Sequence, residues 1–522
     1  MNLHPYLATL LCFWVSAASS LAHATQPADK TVTLLFTNDV ESAYRPIPAF
    51  WLDDLTMIGG IAEMTTLIHQ LREREANTFL FDSGDIFTGS LAKLTDGALA
   101  FELMISMGYD AMAIGNHEFE YGTEILAWQK NRAPFPVLGA NLFYKGTDHP
   151  FAKPHAIIER GGIRIGVIGI MGQDAATAII PSFIAPLDVT VPADAVRRSV
   201  AEIGDDVDLV VLLTHQGKTA PMQTDAESDP RLQRDIDADI ALAGAVEGID
   251  VLLAGHADAG TPEPVVHPQT GTLIMQTYGQ ATHLGFLQLV LDGTTGEIKS
   301  YDGKLIPVDA SWLTPDPLIA AKLEKYRAAH SEILAKVGRT EARMNRRYIE
   351  ESDVGNLFAD IFREASGADI GFVHSGSLRK DLPAGDVTLA DILDTYPFVD
   401  ELVVMELNGA QLRRALTQSL TLERGLLQVS GIDVVYDMSQ PERERLVSVT
   451  RDGRPIEPTD TLTVALGGFL AEGGDLYDVF PEATTLRTMG KVSDKVIDYF
   501  LQQDVVRVPP RGRQTSAPSG SQ

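Results

Sequence analysis

The sequence predicts a two-domain α/β protein, and three observations carry that prediction. Between about 31 and 295, short apolar runs rich in β-branched and aromatic residues alternate with longer amphipathic ones, the pattern of a layered domain around a buried sheet. From 313 to 337 one helical stretch, with a proline near its start and Gly338 just past its end, reads as a connector. A second, smaller α/β segment then runs from about 345 to 503. A chain of 522 residues has room for two such cores.

In chain order, "YLATLLCFWVSAASSLA" followed by Ala22-His23-Ala24 has the apolar core and small-x-small end of an export signal, although no basic residue precedes it. Cleavage is expected after Ala24, with an uncleaved anchor helix as the alternative. The expected location is therefore periplasmic or secreted, without a membrane anchor after cleavage. The runs "TVTLLFT", "TFLFD", "DAMAI", "RIGVIGI", "DLVVLLT", "DVLLA" and "TLIMQT" read as strands, and Ile61, Met64, Leu67, Ile68 and Leu71 recur at helical spacing. The expected divisions are 1–24 signal, 25–312 first domain, 313–344 connecting helix and hinge, 345–504 second domain and 505–522 tail. The tail, rich in Pro, Ser, Gly and Arg, is expected to be disordered.

Composition removes several function classes. Lys plus Arg number 42 against 71 Asp plus Glu, a formal charge of -29, so there is no basic footprint for nucleic acid. A phosphate-bearing ligand must be drawn in by metal ions or by a few placed arginines. The single cysteine, Cys12, lies inside the leader, which excludes a cysteine nucleophile and a cysteine-based zinc site in the mature chain.

The chemistry gathers at strand ends. "LLFT" runs into Asn38-Asp39-Val40-Glu41, "TFLFD" into Ser83-Gly84-Asp85, and "AMAI" into Gly115-Asn116-His117-Glu118. "VVLLT" runs into His215, and "DVLLA" into Gly255-His256-Ala257-Asp258. The carboxyl ends of strands in α/β sheets are where loops converge over a ligand crevice. Each cluster alone also suits a turn or a helix cap. Together they form an oxygen- and imidazole-rich set without sulfur, the chemistry of a divalent-metal site.

"TND", "SGD", "GNHEF", "TH" and "GHAD", in this order, resemble the metallophosphoesterase blocks of the 5'-nucleotidase family, which includes periplasmic UDP-sugar hydrolases. "HSGSLR", "YPFVDELV", "LLQVSG" and "FLAEGGD" resemble that family's nucleotide-binding domain. The resemblance implies a four-layer α/β/β/α catalytic domain, a smaller α/β C-terminal domain that rotates against it, and two divalent metals. It implies that Asp85 bridges the metals, with Asp39, Glu41, Asn116, His215, His256 and Asp258 completing their shells. His117, oriented by Glu120, would act on the reacting phosphate. Asn356, Gly376, Arg379, Leu426, Phe469 and Asp475 would bind a nucleotide. Leu426 stands where an aromatic is expected to share the base with Phe469, which leaves a one-sided stack.

Glu41 and Asp258 depart from the family, which usually has histidine, or histidine or glutamine, at these places. Both fall on the same metal, giving it a carboxylate shell that favours Mn²⁺, Mg²⁺ or Ca²⁺ over Zn²⁺. The other reading of Glu41 is a solvated loop acid. The function expected is hydrolysis of a nucleotide phosphoester, extending to nucleotide sugars or cyclic nucleotides. Its alternatives are a nucleotide-binding protein without turnover and a thiosulfonate-ester hydrolase.

Overall fold

A computed structural model describes residues 28–225, 229 and 231–517. The expected leader at 1–24 lies outside them. Every strand read from the first half is present. Lys30–Thr37, Thr78–Asp82, Ala111–Ala113 and Val137–Leu138 run parallel in one six-stranded sheet, extended by the antiparallel strands His283–Leu291 and Ile298–Pro307. The second six-stranded sheet places Ile163–Met171, Leu209–Gln216, Val251–His256 and Leu273–Gln276 in parallel.

Alternation along these strands builds the layers, because successive side chains point to opposite faces. Leu34 and Phe36 join Val167, Val211, Leu213 and Leu253 in a cluster between the sheets. Leu35 and Leu80 instead face the helices, with Met64, Ile68 and Met104. Leu212 and Leu252 meet Val196 and Leu242 on the far side of the second sheet. The order is helix, sheet, sheet, helix, the four-layer α/β/β/α architecture expected.

The C-terminal domain is built on a five-stranded sheet in the order Leu427–Ser430, Ile370–His374, Thr461–Gly467, Glu401–Asn408 and Thr484–Lys491. Both of its faces are covered, with Phe372 and Leu466 in one apolar cluster and Val373 and Ala465 in the other.

Two expectations fail here. The connector helix spans only Pro317–Ala329, capped by the Asp316 carboxylate on the Leu318 and Ile319 amides. It packs Ile319 and Leu323 into the core of the first domain. Gly338 lies within strand Lys336–Thr340, paired with Gly385–Thr388, so it is not a helix stop. The chain passes from one domain to the other between the helix and this strand. The tail is ordered through residue 517: Gln514–Ser516 forms a strand parallel to Asp433–Tyr436. Arg511 pairs with Asp353 at 2.7 Å and Arg513 with Asp360 at 2.6 Å. Charge pairs and main-chain bonds order a segment that has little apolar surface to bury. Among the described residues no helix is long and apolar enough to cross a membrane.

Candidate active site

The parallel strands deliver all five polar clusters to one edge, and the backbone there is bent hard. Asp39, Glu41, Ser42, Asp85, His256 and Asp258 all have positive φ, between 45° and 72°. Conformations of this kind cost free energy for residues other than glycine and gather at functional sites. Gly84 lets two loops touch, since a Cβ there would lie 2.7 Å from the Gly115 amide nitrogen.

A carboxylate oxygen of Asp85 and ring nitrogens of His215 and His256 lie within 4.8 Å of one another, all three residues buried. His215 donates from Nδ1 to the Ser83 carbonyl at 2.8 Å. Its Nε2 then faces Asp85 Oδ2 at 3.0 Å and Asn116 Oδ1 at 3.1 Å. Such a bond to the outer nitrogen fixes tautomer and ring orientation in metal-binding histidines. His256 Nε2 is buried without a hydrogen-bond partner, an orphaned donor atom aimed at the cluster. Asp39 Oδ2 accepts from the His256 amide at 2.8 Å and from Asn38 Nδ2 at 2.9 Å. This donor set fits a divalent cation.

Burial, with Asp85 and Glu41 close by, pushes the Asp39 carboxyl up to about 6, against the pull of His215. Asp85 shifts the other way: burial opposes ionisation, but His215 and His117 outweigh it. Burial and the neighbouring His215 hold His256 well below the usual imidazole range, which leaves it neutral and able to bind a metal.

Beside this group stands His117. Its Nδ1 is 2.5 Å from Glu120 Oε1, which also accepts from the Thr88 hydroxyl at 2.7 Å. Its Nε2 opens to the cleft, 3.8 Å from Asp85 Oδ2. Burial works against the charged ring, yet Asp85 and Glu120 raise it to about 9. The glutamate at 120 therefore reaches the histidine, and the dyad is formed.

Glu118, quoted in "GNHEF" but given no role there, supports both loops. Its buried carboxylate accepts from the Asp85, Ile86 and Gly115 amides at 2.9, 2.8 and 2.7 Å. An acid between His117 and a buried phenylalanine was the available signal.

Glu41 and Asp258 do not join the three-residue donor group; each is engaged by an arginine. Glu41 pairs with Arg379 of the other domain, and its Oε1 is 3.3 Å from His117 Nε2. Asp258 lies 3.2 Å from Arg234, although burial and Asp39 still push its carboxyl well above the usual range. The grouped donors, one carboxylate and two imidazoles, are those expected for the metal that Asp85 shares with the histidines, while Glu41, Asp258 and Asp39 stand on the other side of Asp85. Glu41 is not a solvated loop acid either, its side chain being 10% exposed.

A cleft of about 750 Å³ runs from these groups into the C-terminal domain. Gly376, Arg379, Phe469 and Asp475 line it, as expected. Asp475 Oδ2 is 3.2 Å from His374 Nε2, and its Oδ1 is buried without a hydrogen-bond partner. Two expected residues lie elsewhere. Leu426 is 2% exposed inside the core, where its carbonyl accepts from the Ser375 amide. Asn356 is fully buried on helix Asp353–Ser366 and donates to Glu351 at 2.7 Å and to the Pro510 carbonyl at 3.2 Å. It anchors the tail.

Among the rings that share the cleft wall with Phe469 are Phe398 and Tyr348. Phe398 stacks over His117 with centroids 6.1 Å apart. It stands in the quoted "YPFVDELV", where an aromatic directly after a proline was the overlooked signal.

Two family models match the chain: "Calcineurin-like phosphoesterase" over residues 32–257 and "5'-nucleotidase, C-terminal domain" over residues 330–482. A 5'-nucleotidase of Vibrio cholerae is 28% identical, the alignment covering 95% of this chain and 96% of that protein. Protein UshA of Yersinia enterocolitica is 26% identical over 93% and 94%. The crystal structure of a 5'-nucleotidase precursor from Thermus thermophilus superposes with a TM-score of 0.80 at 25% identity, covering 94% of this chain and all of that one. With both domain matches, these whole-length relatives and this architecture, the chain belongs to the two-domain 5'-nucleotidase family of metallophosphoesterases.

Proposed function

We propose that the protein is an exported, metal-dependent hydrolase that releases phosphate from nucleotides. One observation carries this reading: the His117–Glu120 dyad and the Asp85 and His256 donors, with His215 buried behind them, open into the cleft that Phe469, Asp475 and Arg379 line from the other domain. Relatives named as 5'-nucleotidases support the substrate class. Export rests on the sequence of residues 1–24 alone.

Asp85, His215 and His256, with Asn116 Oδ1 beside His215 Nε2, would hold one divalent cation, and Asp39 is placed to serve a second. Cations bound there supply Lewis acidity at the phosphoryl oxygens and lower the pKa of water. The mixed nitrogen and oxygen donors admit Zn²⁺ beside Mn²⁺, Mg²⁺ and Ca²⁺.

The rest is this chain's own work. The Nδ1–H of His117 held on Glu120 leaves Nε2 to face the phosphoryl group, where the protonated ring donates to a charged oxygen. Arg379 Nη2, 3.3 Å from that Nε2, adds a second donor from the other domain. Asp475 Oδ1, 3.8 Å from Arg424 Nε and without a hydrogen bond, accepts from a sugar hydroxyl. Phe469, with Phe398 or Tyr348, offers aromatic faces to the base, a contact worth roughly 1 to 3 kcal/mol.

The test is phosphate release by the purified mature protein from a panel of nucleotides, after chelation and after return of each metal. Turnover should disappear with the chelator and return with metal. No release from any nucleotide under any metal would overturn the proposal.

A further inference from the structure

Glu41 distinguishes this cleft. Positive φ at Asp39, Glu41 and Ser42, of 49°, 45° and 54°, turns the loop so that Glu41 faces the cleft. The Glu41 amide is tied to the Asp85 carbonyl at 3.0 Å. The side chain is 10% exposed, and its Oε1 meets two cationic groups at once. These are Arg379 Nη2, which it binds directly, and His117 Nε2 at 3.3 Å; the two cationic groups are themselves 3.3 Å apart. A carboxylate thus occupies the place between guanidinium and imidazole where a phosphoryl oxygen would be recognised. A phosphoryl group reaching Arg379 must displace Glu41 or lie beside it.

We propose that Glu41 is a specificity determinant that selects by charge, disfavouring dianionic phosphomonoesters relative to singly charged phosphoryl groups such as phosphodiesters. The inference rests on the phosphohydrolase reading above. The physical reason is simple. Repulsion by a fixed carboxylate scales with the charge brought beside it, so a dianion pays it twice and a monoanion once. An element that repels one ligand class is as effective a selector as one that attracts another. Arg379, paired with Glu41, offsets most of the carboxylate's field, which leaves the extra charge a penalty on the order of tenfold.

The experiment uses the metal-loaded full mature protein and compares wild type with Glu41→Gln, which keeps the shape and removes the charge. Glu41→Ser serves as a second variant should the first fail to fold. Binding of inorganic phosphate and of dimethyl phosphate is measured by calorimetry at pH 8, where the first is mostly a dianion and the second a monoanion. Metal content is measured on the same samples. The expected result is unchanged metal content and a gain in affinity for inorganic phosphate on the order of tenfold larger than the gain for dimethyl phosphate. That difference should shrink when Arg379→Gln is added, since the two side chains form one coupled pair. In turnover, the ratio of kcat/KM for bis(4-nitrophenyl) phosphate over 4-nitrophenyl phosphate should fall in the variant.

Equal gains for the two anions, or no gain for either, would overturn the proposal. So would loss of metal in both variants, which would make Glu41 a metal-holding group instead. If the wild type turns over no phosphoester at all, the phosphohydrolase reading fails, while the two binding measurements still decide the role of Glu41.

Discussion

The metal-donor cluster and the domain interface do different work with different construction. The cluster is drawn from one domain, at the ends of parallel strands, and its residues are buried and locked by backbone bonds such as those from the Asp85, Ile86 and Gly115 amides to Glu118. The interface joins halves with their own cores through separate polar contacts, beside apolar ones in which Ala390 meets the first core and Leu232 the second. The Ser90 amide donates to Asp394 at 2.8 Å, Lys93 to the Phe398 carbonyl at 2.8 Å, the Ser182 amide to Glu472 at 2.7 Å and the Asp475 amide to the Thr177 carbonyl at 2.8 Å. Arg346 pairs with Asp225, and Arg379 with Glu41. Interfaces of this polar kind permit relative motion between domains. The donor cluster is thus held within one domain, while the cleft is completed only by contacts between the two.

The sharpest way to test the first half of that contrast is His117→Ala. It should lower kcat by about 10² to 10⁴, the usual contribution of a positioned acid or base. Metal content should stay normal, because Asp85, His215 and His256 are untouched. Wild-type kcat in this variant would remove His117 from the reaction, and loss of metal would make it part of the donor cluster.

A weaker effect is expected across the interface. Asp394→Ala removes the acceptor of the Ser90 amide and the partner of Lys380, 2.9 Å away. If the cleft closes over its ligand, weakening the closed arrangement lowers the fraction competent to bind and raises the apparent dissociation constant in proportion. One lost hydrogen bond of about 1 kcal/mol then predicts a KM raised about fivefold with kcat nearly unchanged. Small-angle scattering should show a broader distribution of sizes for the variant. An unchanged KM and an unchanged profile would mean that the domains are held by their remaining contacts.

The same contrast explains what could be read in advance. Strand ends announce themselves, because an apolar run such as "LLFT" that stops at Asn38-Asp39 can only be leaving a sheet, and the parallel order brings every such end to one edge. Positions in the second domain carry no equivalent signal. Leu426 and Asn356 sit in motifs that resemble the family's, yet the motif does not say which way a side chain points. Asn356 lies on the inward face of its helix, with Phe358 and Phe362 in the core close by, and Leu426 enters a buried strand. Glu41 was legible as an unusual acid. Its arginine partner was not, since Arg379 lies 338 residues away in sequence and only folding brings the two together.

The smallest effect concerns the tail, where composition misled because order there does not come from apolar burial. Arg513 spans Asp360 with two bonds, Nη1 to Oδ1 at 2.8 Å and Nη2 to Oδ2 at 2.6 Å, and Nη1 also reaches the Val429 carbonyl at 3.0 Å. Its side chain is 15% exposed and that of Asp360 is 29% exposed, so solvent screens the pair only in part. Arg513→Ala should therefore cost about 1 to 2 kcal/mol, near the value of a charge-assisted hydrogen bond. For a domain of this size that is a fall in Tm of roughly 2 to 8 °C in the C-terminal transition. Removing residues 508–522 should cost more, because the strand partner of Asp433–Tyr436 and the carbonyl that holds Asn356 are lost together. Neither change touches the cleft, so kcat and metal content should stay at wild-type values. Calorimetric scans of the three proteins decide it: identical transitions would mean that the tail contributes nothing to the fold and that its pairing with the sheet is incidental.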